Sequence, residues 1–525
     1  MTLEWNRNLK PIGFALIFLC IVFGIEVAAI FALNHGNFTF SLDDPYIHLA
    51  LAENIFKGHY GVNLSEFSAP SSSIIWPFIL APFASLSIAP YLLLFMNVVA
   101  ACATLVLIWR TWFKNTVSET TGKHLPILVL LIACIPALNL VGLAFTGMEH
   151  SYQLWFSLMI VSGLIYEVQN KRVTWWLIAA IILAPLIRYE CLALSGPALL
   201  FLFLRGYRLQ SVFAGFIIAI SVIGFALFLM SLGLNPFPTS IMAKSSVVSS
   251  GGGLGTLISN LNRSLSTDRG ILLVLGMLYF LFVSLDKTRE NGVRLLSATL
   301  FLSCGLHAVV GRYGWYDRYE IYIWASMLLT IVFLNLEALD KLSKKLGKFW
   351  ATTWIGFGTL TICSSYILTG LSTPLAANNI YEQQYQMHRF VSEFYQEPVA
   401  VNDLGYVAYH NDKYVLDLWG LASVEALKLR QSQQQASWMA EIASKRHVKL
   451  VMLYEDWFQD IPTQWKKLGE LTLGGRRVTV SRPSVAFYIT DCEFETSAQN
   501  ALTEYIKTLP PKVSFTLTEP RCEVR

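Results

Sequence analysis

SLDDPYIHLALAENIFKGHYGVN, residues 41–63, closely follows an apolar run at 12–33. A run of that length crosses a bilayer, because about 20 apolar residues at ~1.5 Å each span the ~30 Å hydrocarbon core. It is too long for a signal-peptide core and no small-residue cleavage site follows it, so it reads as a retained first span. Glu26 near its middle is costly in lipid and is expected to face the protein interior. What comes next cannot stay in lipid. Asp43 and Asp44 are adjacent carboxylates, and Ile47, Leu51 and Ile55 then repeat every four positions, which predicts a short amphipathic helix. Asp44 suits the N-cap, Pro45 the first helical position and Gly58 the stop. Asp44 is thereby explained as a cap, but Asp43 has no capping duty. Two adjacent carboxylates repel each other, which favours a site that needs a base, a cation, or both.

Working outward, apolar runs recur with short polar breaks to about residue 371. The expected spans are 12–33, 90–112, 125–145, 150–169, 173–187, 190–205, 210–233, 270–286, 294–311, 319–338 and 350–371, eleven in all, with 173–187 and 190–205 short. The segment 73–86 is apolar but is broken by Pro77 and Pro82, which predicts a second helix at the membrane surface rather than a span. Of the 525 residues, 54% are hydrophobic and 14% charged; a soluble chain carries about 25% charged residues. The fold class expected is therefore a polytopic α-helical membrane protein, residues 1–371, followed by an extracytoplasmic α/β domain, residues 372–525. In that tail, strand-like runs at 398–402, 414–418 and 448–454 alternate with helical stretches near 381–396, 424–445 and 495–508. It holds no Gly-rich nucleotide loop, metal-ligand cluster or nucleophile elbow. Asp403 and Asp417 read as strand ends.

With the N-terminus inside, the inner loops hold sixteen Lys and Arg and the outer loops seven. That bias predicts a cytoplasmic N-terminus and an external tail. A net charge of +4, with no basic stripe interleaved with aromatics, excludes a nucleic-acid protein. Six of the eight Cys lie in or beside spans, leaving Cys492 and Cys522 in the tail. An isolated pair in an oxidising compartment is a disulfide candidate.

The Asp-Asp pair followed by PYIHLALAENIFKGHYG resembles the first-loop signature of the GT-C superfamily, membrane glycosyltransferases that take sugars from polyprenyl-phosphate carriers. The similarity is greatest to bacterial arabinofuranosyltransferase-like members. TGMEH at 146–150, LIRYE at 186–190, PTSIMAK at 238–244, RYGWYDRYE at 312–320 and VNDLGYVAYHNDKYVLDLWGLAS at 401–423 are weaker echoes in the same order. The resemblance implies a bacterial inner-membrane enzyme with two juxtamembrane helices in its first outer loop. Its donor would be a polyprenyl-phosphate-linked sugar, and its acceptor a glycan, lipid or protein outside the cytoplasm. The transfer would be inverting, and the external domain would help select the acceptor. Neither the sugar nor the acceptor is legible.

The chemistry such a transfer needs is modest. Phosphate is a weak base and leaves without a general acid, whereas the acceptor hydroxyl needs a base. The resemblance places that base at Asp43, with Asp44 to orient the site, cap the helix or help hold a cation. A divalent cation, Mg or Mn, is left open, with Asp43 and Asp44 as its candidate ligands. Lys244, Arg318, Arg188 and Arg312 are candidates for the donor phosphate, although each also reads as an interfacial snorkelling residue. Glu149, His150, His48, Tyr46, Glu190 and Trp315 are candidates for substrate contact. For Glu149 a helix cap competes, for Glu190 an ion pair with Arg188, and for the aromatics the ordinary interfacial belt. The alternative function is a lipid or sugar transporter or flippase; such proteins place charged sites near the midplane between repeats, and no repeat is visible. A non-catalytic envelope scaffold would leave Asp43 unexplained.

Overall fold

The computed structural model describes residues 10–113, 124–244, 254–432 and 437–518. The chain is a multi-pass membrane protein, mostly helical, with a small sheet domain at its C-terminus. Among the described residues five helices are long and apolar enough to cross a membrane: Lys10–Leu33, Ala89–Trp112, Arg208–Ser231, Asp268–Leu285 and Asn291–Val310. Two bent pairs raise the number to seven: Ile321–Leu334 with Leu336–Leu346 at 64°, and Phe349–Ile362 with Ser364–Leu371 at 70°.

The other spans expected from hydropathy are shorter or broken, for local reasons. In the 125–145 stretch the helix ends at Ala137, just past Pro136, and Asn139 turns left-handed at φ 48° before a new helix, Leu140–Phe145. At 173–205, Pro185 removes one backbone donor near the end of Trp175–Ile187. Arg188 is then extended, and a short turn leads into Leu192–Leu204. The 150–169 run forms His150–Asn170, with a polar, buried flank that includes Gln153, Ser157 and Glu167.

Contacts divide the chain into two compact units. One contains residues 1–25, 94–224 and 250–371; the other contains 26–93, 225–249 and 372–525. The first is the helical unit. One buried charge there is paired with its opposite: Arg205 holds the buried Glu167 through both Nε and Nη2, at 2.9–3.1 Å. Such pairing is what a low-dielectric interior requires of a charge.

The second unit combines the first loop with the tail. The tail forms a six-stranded sheet of order β2-β1-β3-β5-β4-β6: β1 Val399–Val401, β2 Val415–Asp417, β3 Leu450–Leu453, β4 Lys466–Thr472, β5 Ser484–Ile489 and β6 Ser514–Leu517. β1 pairs in parallel with β2 and β3, and the rest is antiparallel. The three strands read from the sequence are present. β4 to β6 were not foreseen: β4 carries Lys466, Lys467 and Glu470 and is bulged between Lys467 and Gly469, which hides its alternation. Leu416, Val451, Leu453, Met439, Ile442 and Trp465 make the core under one face; each such side chain is worth about 1.5–3 kcal/mol when fully buried.

The first loop is bonded to this domain along its length. Asn63 treats the edge strand β2 as a strand would: its Nδ2 donates to Val415 O at 3.0 Å and its Oδ1 accepts from Val415 N at 2.9 Å. Glu66 accepts from Tyr414 Oη at 3.0 Å and pairs with Arg446 at 2.9 Å. Tyr409 Oη donates to Ala84 O, and Thr239 Oγ1 joins Ala69 O to Leu421 O. The helix expected at the outer membrane surface beneath the external domain, Asp44–Phe56, is buried along most of its length: Tyr46, Ile47, His48, Leu49, Leu51 and Asn54 are all buried. The second helix of the loop is short, Trp76–Leu80, with Pro77 in its first turn.

Removing the Asn63 amide leaves the Val415 N–H and C=O unpaired. Asn63→Ala should destabilise the second unit by about 1–3 kcal/mol, seen as a lower thermal midpoint of the purified chain. An unchanged midpoint would show that the loop is not anchored there.

Candidate active site

The site grows from the start of the helix Asp44–Phe56. Pro45 lies in its first turn and lacks an N–H, so the cap has one donor fewer to satisfy. Asp44 is the first helical residue rather than the N-cap, one position later than expected, where its charge favours the helix dipole. Asp43 occupies the N-cap position but makes no side-chain cap bond. Its side chain turns to the tail instead: Oδ1 accepts from the backbone N–H of Tyr406 at 2.8 Å. A Cβ at Gly405 would collide with the Asp43 carbonyl and carboxylate, so only glycine allows this approach. Among the described residues no hydrogen bond reaches the other oxygen, Oδ2, which is buried, and the residue is 8% exposed.

Burial pushes the Asp43 carboxyl well above its ordinary 3.8. The nearby Asp403 charge adds to this, as does Asp44, against the opposing N–H groups of Tyr406 and Gly405. Asp403, half-buried, is itself pushed up to about 6, first by burial, while hydrogen bonds from Gln384 and Tyr454 act the other way. Gln384 Nε2 donates to Asp403 Oδ2 at 2.7 Å, and Tyr454 Oη donates to the same oxygen at 3.3 Å. Aromatic rings surround the group. Tyr46 lies against Tyr406 with centroids 3.9 Å apart, and Tyr385 and His388 pack on Tyr406 at 5.2 and 5.3 Å. Tyr46 Oη accepts from Phe40 N at 3.1 Å, and His48 Nδ1 lies 3.3 Å from Ser71 Oγ. Both candidates are thus built into the wall.

Lys244 ends the short helix Thr239–Lys244 of this same unit; its side chain lies outside the described residues. The remaining candidates belong to the helical unit. Arg188 is not a free cation, as the phosphate role requires: it is 4% exposed and held by Glu149 at 2.6 Å and by Glu190 at 2.6 Å. Its charge is already more than answered by two carboxylates. Glu190 is thus the ion-pair partner, and Glu149 sits at the N-cap of His150–Asn170 without capping it, its carboxylate given to Arg188. His150 is buried at that helix start, near the Tyr319 ring. Arg318 is buried, with Nη2 3.4 Å from Tyr319 Oη and its guanidinium over that ring. Arg312 is half-buried. Between them Gly314, Trp315, Tyr316 and Asp317 all have positive φ, 75°, 49°, 62° and 53°, a strained left-handed turn that leaves Trp315 52% exposed. Asp317 and Thr369 hold it by a 2.7 Å hydrogen bond.

Among the described residues no group of three or more His, Cys, Asp or Glu is arranged to hold a metal ion. Cys492 is disulfide-bonded; Cys522, its expected partner, lies outside the described residues. Gly405, Tyr406, Gln384, Tyr454 and the part played by Asp403 escaped the sequence reading. The available signal was position: Asp403 follows a parallel strand, and sites gather at the carboxyl ends of such strands.

A domain of unknown function (DUF8728) matches residues 378–488. No curated protein matches the chain. Among solved structures, ArnT from Cupriavidus metallidurans in the apo state is similar at 10% identity and a TM-score of 0.44, covering 91% of this chain and 98% of ArnT. The apo Archaeoglobus fulgidus oligosaccharyltransferase is similar at 11% identity and a TM-score of 0.40, over 96% of this chain and 76% of its own. The same organism's AglB, in complex with an inhibitory peptide and a dolichol-phosphate, gives 12% and 0.38 over the same shares.

The raised carboxyl has a signed consequence. An acid whose pKa is raised by folding stabilises the fold below its unfolded value, near 3.8, and that contribution is lost as pH rises through the folded value. The thermal midpoint should therefore fall as pH rises above about 4. Asp43→Asn keeps the acceptor for Tyr406 and removes the charge. It should flatten this fall and melt above the wild type at pH near 8, while matching it near pH 4. Parallel melting curves across this range would refute the buried charge.

Proposed function

We propose that the chain is an integral-membrane glycosyltransferase. It moves a monosaccharide from a polyprenyl-phosphate carrier to an acceptor hydroxyl outside the cytoplasm, with inversion, and Asp43 is the general base. The observation that carries this reading is the state of the Asp43 carboxylate: one oxygen is fixed by the Tyr406 N–H, and the other is buried with no hydrogen bond reaching it among the described residues. A base of that kind is oriented, desolvated and shifted toward the pH at which it works.

In the step itself, the acceptor oxygen forms its bond to the anomeric carbon as the bond from that carbon to the phosphate oxygen breaks. The hydroxyl proton passes to Asp43 Oδ2, and the lipid phosphate departs as an anion without a proton donor. Cations near the phosphate lower the barrier further. Lys244, in the same unit as Asp43, is assigned to it; Arg318 and Arg312 are carried from the sequence as phosphate candidates of the helical unit, and Arg188 is assigned to shaping that unit through Glu149 and Glu190. Trp315, exposed on its strained turn, is assigned to sugar contact. The Lys and Arg bias supports a cytoplasmic N-terminus with the tail outside; the bacterial inner membrane is what the sequence resemblance implies.

The test is transfer by the purified chain from a panel of radiolabelled polyprenyl-phosphate monosaccharides to lipids, glycans and proteins extracted from the envelope. Asp43→Asn and Asp43→Ala should lower the rate by about 10²–10⁴-fold with the fold intact. Full activity in either folded variant would remove Asp43 as base. Donor crossing vesicle membranes without any sugar transfer would replace this reading with the flippase one.

A further inference from the structure

We propose that the loop joining β4 to β5, with Arg476 and Arg477 at its turn, is a docking surface for anionic phospholipid headgroups in the leaflet where the first span ends. None of the groups proposed for sugar transfer takes part, so this surface stands apart from that function.

The loop, residues 473–483, reads LGGRRVTVSRP, with three arginines and no carboxylate. It is not left loose in solvent. It lies against the helix Thr373–Glu382, whose N-cap Ser372 follows directly on the last apolar helix, Ser364–Leu371. Asn379 clamps the turn from both sides: Nδ2 donates to Arg476 O at 2.9 Å, and Oδ1 accepts from Val478 N at 2.6 Å. Glu382 Oε2 accepts from Gly474 N and Gly475 N, at 3.0 and 2.9 Å. Gln383 Nε2 donates to Arg482 O at 3.0 Å, and Thr479 Oγ1 to Ala376 O at 3.4 Å. A Cβ at Gly474 would collide with Lys512, so glycine is what lets the Lys512 segment come close.

These pairs have an order. Glu382, at the far end of the helix, meets the start of the loop, and Ala376, near its beginning, meets the turn. The turn therefore points back toward the end of the apolar helices. The same helix is tied to the first span. Asn378 Nδ2 donates to Leu33 O at 3.3 Å and to Asn34 Oδ1 at 3.2 Å, and Thr39 Oγ1 donates to Ala377 O at 2.7 Å. Leu33 is the last residue of that span. From Ser372 to Ala376 the helix rises at most ~6 Å, at ~1.5 Å per residue. The headgroup layer is roughly 5–8 Å deep on each side of the hydrocarbon core, so the turn is held at headgroup depth. Arg482 pairs with Asp456. Arg476 and Arg477 are exposed and, among the described residues, form no ion pair; Arg477 Nη1 donates to Ser481 O at 2.8 Å. Lys512, beside Gly474, is exposed as well. A patch of cations at that depth fits lipid phosphate, which a guanidinium grips through paired N–H groups.

The test uses the full chain in a neutral detergent, with native mass spectrometry reading the binding of phosphatidylglycerol and of phosphatidylcholine. The double variant Arg476→Gln with Arg477→Gln should weaken one phosphatidylglycerol binding event by about 25-fold, about fivefold for each charge, and leave phosphatidylcholine unchanged. Arg476→Lys with Arg477→Lys keeps the charge and should restore most of the loss. Hydrogen exchange in nanodiscs locates the event. Amides 474–482 should exchange more slowly when phosphatidylglycerol is added to phosphatidylcholine, in the wild type and not in the glutamine variant. Equal phosphatidylglycerol binding by the glutamine variant, or loop exchange that ignores the lipid, would overturn the inference. Displacement of the lipid by an equal concentration of glycerol phosphate would also overturn it, because the patch would then read soluble phosphate. So would a polyprenyl phosphate that binds there while phosphatidylglycerol does not, because the patch would then belong to a sugar carrier. No sugar transfer is measured, so this inference and the proposed function fail separately.

Discussion

The structure of the second unit depends on one hydrogen bond, from the Tyr406 N–H to the Asp43 carboxylate. A carboxylate this buried is costly unless it is paired or bonded, and among the described residues only one of its two oxygens is satisfied. The surrounding arrangement follows from that constraint. Gly405 must be glycine so that the backbone can come close. The helix Asp44–Phe56 must start without Asp43 as a side-chain cap. The first loop must be held to the sheet so that the approach persists, and Asn63, Glu66, Ala69 and Ala84 supply the attachment points. A fold that keeps a half-satisfied carboxylate does so at the expense of stability, which is how sites of proton transfer are commonly built.

The helical unit solves the opposite problem. Two of its arginines are placed against opposite charges, Arg188 between Glu149 and Glu190, and Arg205 on Glu167. Such pairs add little net stability but are expensive to break. They act as fixed joints between helices whose surfaces are otherwise apolar. The strained turn at Gly314–Asp317 is the exception. It has three consecutive non-glycine residues in the left-handed region, where each costs on the order of 1–3 kcal/mol, and it keeps an indole exposed.

Much of this was legible in the sequence, for identifiable reasons. Apolar length is a composition signal, so the membrane class and the long helices could be read, as could the helix after the Asp pair, from its four-residue repeat. The strands β1 to β3 are apolar runs bounded by polar residues and were equally plain. What escaped depends on partners far along the chain. Asp403 looked like a strand end because its meaning comes from Asp43, 360 positions earlier. Arg188 looked like a phosphate ligand because Glu149 is 39 residues away in sequence. Breaks inside apolar runs, such as the left-handed Asn139 or the extended Arg188, leave almost no trace in hydropathy.

The claim on which the account stands is that Asp43 holds a proton far more tightly than an ordinary carboxyl. An infrared difference titration measures this directly, by subtracting the Asp43→Asn variant from the wild type in nanodiscs and following the carbonyl band of the protonated acid as pH is raised. The account predicts that the band belonging to Asp43 persists well above the ordinary 3.8 and vanishes only at markedly higher pH. A band that is already lost at the ordinary carboxylate value would contradict it.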